Sequence, residues 1–336
     1  MPRPLSDQVV VVTGGSSGIG RVTARMFADA GAAVVVTARG AADLASLVDE
    51  ITGAGGRAYG LAADVGDPEA LREVARAAVE RFGRIDTWVN NAGVGVFGKA
   101  VDVPPDEYAT VMRINYLGQV HGVLAAVPHL RAGGGGVIVG VSSVEGARGV
   151  PLQAPYVASK WALRGFYEVL RMELMADGEP IAVTTVLPAA IDTPFYVKAR
   201  SHTGWHPKPP PPVYAPEVVA RAIVHAARHP TRDVVVGGSG LGFLAAERFV
   251  PRIADRLMAR RWVVRAQRTD LAAGPDALDR PIEGHGQDRS GLPVRAHRRS
   301  VYTDAVGQHP VVQRAIIGGL VGSAVGTAVA RRLVRR

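Results

Sequence analysis

Residues 9–20 read VVVVTGGSSGIG. Four successive valines, Val9 to Val12, show no polar alternation, so they predict a strand buried on both faces, as in a parallel sheet. Glycines stop the run. A helical pattern then opens at Gly18 and continues to Ala30, where Gly31 ends it. The same alternation continues outward from this unit. Strands are predicted over 33–37, 59–63, 87–90, 137–141, 181–187 and 234–236, and helices over 41–52, 68–82, 105–131, 155–176 and 216–228. Pro68 and Pro216 stand in first turns, where a missing N–H costs nothing. Seven strands alternating with six helices predict an α/β fold, a doubly wound parallel seven-stranded sheet with helices on both faces, over residues 1–240. In such sheets ligands bind beyond the carboxyl ends of the strands. Each motif described below falls at such an end.

The chain has 336 residues, 47% of them apolar, which is enough for a sizeable core. It has no cysteine, which excludes disulfides, thiolate metal sites and cysteine nucleophiles; no metal is predicted. The opening MPRPLSDQ carries no apolar leader, and a cytoplasmic location is expected. Charge is unevenly placed: residues 1–250 are neutral overall, and the whole net charge of +9 lies in 251–336. A basic tail on a neutral body is read either as a contact for an anionic surface, membrane or nucleic acid, or as a solubilising tail. It lacks aromatics interleaved with its arginines beyond Trp262 and Tyr302, so nucleic acid is not expected as a partner. Within the C-terminal extension, 241–266 is expected to be helical. The Gly-, Pro-, Asp- and Arg-rich stretch 267–310 is expected to be a linker without stable structure. Residues 311–336 are read as an apolar Gly-rich helix ending in RRLVRR. Its uncharged core AIIGGLVGSAVGTAVA is short of the roughly 20 residues a membrane crossing takes. Gly318, Gly322 and Gly326 repeat along one helix face, so the segment either associates with a membrane or another helix, or packs on the body. The loop 189–215, with five prolines in 207–212, is read as a substrate lid.

The chemistry concentrates in four places. Gly14, Gly18 and Gly20, with Ser16, Ser17 and Ile19 between them, let backbone approach a pyrophosphate at a helix N-terminus. The spacing G-x-x-x-G-x-G differs from the long dinucleotide fingerprint, and taken alone it equally describes a plain strand–helix turn. Arg39 ends the second strand where an acid would bind ribose hydroxyls; an arginine there suits a 2′-phosphate and favours NADP over NAD. Asp64 and Val65 follow the third strand, placed either at the adenine edge or at a helix cap. Asn90, Asn91, Ala92 and Gly93 follow the fourth, with amides able to tie strand ends together and small residues that leave room for a ribose. Tyr156 and Lys160 share a helix face at i and i+4, and Ser143 lies thirteen residues before Tyr156. A cation beside a phenol favours phenolate, which fits Tyr156 for acid–base work near neutral pH. Ser143 is placed to hydrogen-bond the substrate oxygen, and Asn115 to hold a water linking Lys160 to solvent.

Together TGGSSGIG, NNAG at 90–93, Asn115 in INYLG, Ser143 in VSS, YVASK at 156–160 and Pro188 with Thr193 resemble the short-chain dehydrogenase/reductase family over about residues 6–240. The resemblance implies a Rossmann-like sheet in which Tyr156 moves the proton, Lys160 binds the nicotinamide ribose and tunes Tyr156, and Asn115 completes a proton relay. It further implies that Ile191 and Thr193 meet the carboxamide, and that copies form a dimer or tetramer through helices near 105–131 and 155–176. Pro188-Ala189 departs from the family's frequent Pro-Gly. The expected function is an NADP-dependent oxidoreductase interconverting an alcohol and a ketone or aldehyde. Phe195, Tyr196, Trp205, Val94, Val96 and Phe97 point to a lipophilic substrate. The alternative is a cofactor-binding regulatory or redox-sensing protein on the same scaffold, its basic tail on a membrane surface or nucleic acid.

Overall fold

A computed structural model describes residues 2–282, 284 and 286–304. Seven strands form one sheet: β1 (Val9–Thr13), β2 (Ala33–Ala38), β3 (Arg57–Ala62), β4 (Thr87–Asn90), β5 (Gly136–Val141), β6 (Ile181–Pro188) and β7 (Asp233–Val236). All neighbours are parallel, in the order β7-β6-β5-β4-β1-β2-β3. The order reverses at β1, whose neighbours are β2 on one side and β4 on the other, and the crevice beyond these strand ends receives the glycine turn.

Helices α1 (Gly18–Asp29), α2 (Ala41–Gly53), α3 (Pro68–Phe82), α4 (Pro105–Met112), α5 (Gly118–Ala132), α6 (Ala154–Ala176), α7 (Phe195–Lys198) and α8 (Pro216–Arg228) follow in chain order. Valines of β1 and β2 are buried on both faces, which is why their sequence lacks alternation. On one face α1, α2 and α8 pack on Val10, Val12, Val34 and Val36. On the other, α3, α5 and α6 pack on Val11, Val35, Trp88 and Ile138. The single helix expected over 105–131 is divided: residues Arg113–Leu117 form a π-helical turn between α4 and α5. Asn115, in that turn, sits buried with its amide on Val94 O and Ser159 Oγ and its carbonyl oxygen accepting from Val94 N.

The extension differs from expectation. Residues 241–266 are helical, in α9 (Gly238–Phe249), α10 (Pro251–Met258) and α11 (Arg261–Ala266). The described residues of 267–304, expected to lack stable structure, are instead fastened to the body. The strand Arg268–Ala272 pairs antiparallel with Trp205–Pro207 of the expected lid, and Ala296–His297 pairs with Val213–Tyr214. Leu278 is buried against Val96, Val103 and Val111. Polar composition misled here because ion pairs and main-chain hydrogen bonds to the body, which composition does not register, replace a local core. Among the described residues no helix is long and apolar enough to cross a membrane. Residues 305–310 of the expected linker and the expected apolar helix over 311–336 lie outside the described residues.

Candidate active site

One cleft at the carboxyl ends of β1 to β6 is lined by every predicted site residue except Gly20, Asn90 and Asn115. Gly20 lies under the glycine turn, against Gly14 O and Asn91. The turn is braced from β4: the Asn91 amide donates to Thr13 O (3.0 Å) and Gly14 O (3.2 Å), while Thr13 Oγ1 accepts from Asn91 N and Ala92 N. Asn90 is turned away from the cleft, bonded to Gln119 O, Trp88 Nε1 and Tyr167 Oη. Thr193 closes against Gly18 from the loop after β6. Asp64 spends one carboxylate oxygen on Gly66 N (2.8 Å) and the other on Arg113 (3.3 Å). The cap of α3 is Asp67, not Asp64.

The reacting end lies beside α6. Tyr156 stands against Phe195, with ring centroids 5.1 Å apart. Lys160 Nζ donates to Val141 O at 3.0 Å and lies 5.4 Å from the centre of the Tyr156 ring. Burial pushes the phenol well above its ordinary value; the nearby Glu145 adds to this, and a hydrogen bond with Ser143 opposes it. Burial, rather than the lowering expected from Lys160, governs the phenol here. Burial lowers Lys160 itself to about 8, opposed by Glu145.

Two polar residues escaped the sequence reading. Glu145, two residues after Ser143, faces the same cleft; its Oε1 accepts from Gln153 Nε2 at 3.4 Å, and its Oε2 is buried without a hydrogen-bond partner. Burial raises it to about 8. Lys198, in α7, lines the opposite end and donates to Ser17 Oγ at 3.1 Å. A signal for Lys198 existed: the chain has only four lysines among its 39 basic residues, and two of the four line this cleft. Of the apolar residues expected to meet substrate, Val94, Phe195 and Tyr196 line the cleft. Val96 and Phe97 are instead fully buried, and Trp205 stands in the short strand paired with Arg268–Ala272.

Glu145 gives a pH test. Its folded value lies above that of an unfolded carboxyl, so its contribution to stability is full at low pH and is lost as pH rises toward and through about 8. Glu145→Gln removes that loss. The Tm of the variant relative to the parent should therefore be higher at pH 9 than at pH 5; a difference independent of pH would contradict the buried-acid reading.

Comparison with known proteins follows the same outline. Residues 8–204 match the sequence profile of the short chain dehydrogenase family. An uncharacterized oxidoreductase of Bacillus subtilis, YxnA, is 39% identical over 323 residues, 95% of this chain and 90% of that protein. A short chain dehydrogenase/reductase from Burkholderia phymatum, solved in complex with NAD, superposes with TM-score 0.67 at 25% identity, covering 76% of this chain and 96% of that one. An alcohol dehydrogenase from Thermococcus sibiricus, complexed with 5-hydroxy-NADP, superposes with TM-score 0.60 at 26% identity over 68% of this chain and 95% of that one.

Proposed function

The chain belongs to the short chain dehydrogenase family and is an NAD(P)-dependent oxidoreductase, and on that premise we propose that it uses NADP to interconvert an alcohol and a ketone or aldehyde. The bound cofactor supplies or accepts hydride. Tyr156 gives or takes the proton at the substrate oxygen, Ser143 holds that oxygen, and Lys160 binds the nicotinamide ribose. One observation carries the reading: Ser143, Tyr156 and Lys160 line the same cleft as the glycine turn, with Arg39 and Lys198 at its far end. The intact acid–base group speaks against a purely regulatory role, which would not need it.

Two cations at one end of the cleft favour a phosphate there. Arg39→Ala is expected to weaken NADPH roughly thirtyfold, about 2 kcal/mol for a hydrogen bond to a charged group, and NADH by less than about threefold. Fluorescence titration with both cofactors checks this; equal losses would remove the argument for NADP. The substrate wall is mixed. Phe195, Tyr196 and Val94 favour apolar bulk, while Glu145 and Gln153 add a polar side. Pairing between copies is supported by apolar side chains left exposed on α5 and α6, among them Leu124, Trp161, Met172 and Met175. The basic extension as a contact for a membrane surface also remains part of this proposal, resting on its charge alone.

A further inference from the structure

Beyond α11 the chain runs back across the mouth of the cleft, at the end opposite Tyr156. Its contacts there follow the cofactor cradle point by point. Ala277 O and Leu278 O both accept from the Arg39 guanidinium, the latter at 3.0 Å. Ala277 N donates to Lys198 O at 2.8 Å, which fixes the segment to the helical turn that carries the second cation. Pro281 lies against Gly40, just after β2, and Gly284 N donates to Asp43 in α2. Gln287 O accepts from Gly18 N at 2.9 Å, in the glycine turn itself. Gly18, Ile19 and Gly20 make up the first turn of α1, where backbone N–H groups have no acceptor within the helix. The segment takes one of the three and leaves that of Ile19, which lines the cleft, to meet a pyrophosphate. Ala277, Pro281 and Ile282 line the cleft itself.

The anchors lie outside the cleft. Leu278, 1% exposed, is seated among Val96, Val103 and Val111. Arg200 holds Asp276 (2.9 Å) and Asp279 (2.6 Å), Arg25 pairs with Asp288, and Ser290 N donates to Asp192 at 3.1 Å. Arg39 and Lys198 repel each other, and each is lowered first by burial. Holding both at one place therefore needs fixed acceptors, and the carbonyls of Ala277 and Leu278 supply them for Arg39. A guanidinium has five donors, so two carbonyls leave donors free for a phosphate.

We propose that residues 276–282, 284 and 286–290 belong to a strap that closes the adenosine end of the dinucleotide cleft and holds Arg39 and Lys198 in place for the cofactor's phosphates. The inference rests on the cofactor assignment made above and extends it to a segment outside the matched family region. The dinucleotide completes the strap's seat, so bound cofactor tightens it, and cofactor leaves only when the strap lifts.

Two measurements on the full chain test this. In hydrogen–deuterium exchange, saturating NADPH should slow exchange at residues 277–282 of the unaltered protein by about tenfold. Unchanged exchange would overturn the proposal, and so would faster exchange, which would mean that cofactor displaces the segment. In stopped-flow release, Asp276→Asn/Asp279→Asn, which frees the strap from Arg200, should speed NADPH dissociation about tenfold. A parental release rate in a variant whose strap exchanges faster would overturn the proposal. If the variant does not fold, exchange in the unaltered protein decides alone. Equal affinity of the unaltered protein for NADH and NADPH would instead sink the 2′-phosphate assignment, and the strap would be judged by exchange with either cofactor.

Discussion

Replacing Tyr156 with Phe should reduce kcat by about a thousandfold while leaving the NADPH dissociation constant within about twofold, since positioned acid–base groups contribute on the order of a hundred- to ten-thousandfold. The substitution removes one oxygen from a ring packed against Phe195, so the fold has little reason to respond. Burial and Glu145 hold the phenol above its ordinary value, so near neutral pH it carries its proton. That state suits the donor in carbonyl reduction, where hydride arrival leaves an alkoxide that must be protonated. In the oxidising direction the phenol must first lose its proton, and the positive charge of the oxidised nicotinamide would help it do so. Steady-state kinetics with a reducible carbonyl, alongside fluorescence titration of NADPH, separates the two effects. Full turnover in the variant would remove Tyr156 from the mechanism.

The second large effect is expected at Gly20. A Cβ there would stand 2.2 Å from Gly14 O and 2.6 Å from Asn91 Nδ2. Neither neighbour can swing aside: one is backbone, and the other is the amide that braces the turn from the end of β4. Gly20→Ala should therefore cost about 3 kcal/mol of stability, at the upper end of overpacking costs. It should also weaken cofactor binding at least about a hundredfold, the scale of effect that follows a misplacement of roughly 1 Å at a positioned site. Thermal unfolding and cofactor titration of the same variant check both. Parental binding would show that the turn does not grip the pyrophosphate.

What could be read from the sequence was what local pattern determines. The four valines before Gly14 pack between helices on both faces, so the absence of alternation carried the sheet. Tyr156 and Lys160 share a face because helix geometry requires it, and the ends of β1, β2, β4 and β5 converge because parallel crossovers bring them together. The remainder depends on partners distant in sequence. The π turn at Asn115 changes no residue type, so 105–131 reads as one helix. Lys160 was expected to lower the phenol, but the burial that raises it is a tertiary fact. The described residues of 276–290 are mostly polar, and their placement depends on partners distant in sequence, among them Arg39, Arg200 and Asp192. Glu145 stands out only once its buried, unpartnered oxygen is seen in the cleft.

The most direct test is a crystal structure of the protein with NADPH. The account requires the 2′-phosphate within hydrogen-bonding distance of Arg39, the pyrophosphate over Ile19, and C4 of the nicotinamide facing the Tyr156 hydroxyl. A dinucleotide bound in the reverse sense, with its nicotinamide near Arg39, or one lying outside this cleft, would contradict it.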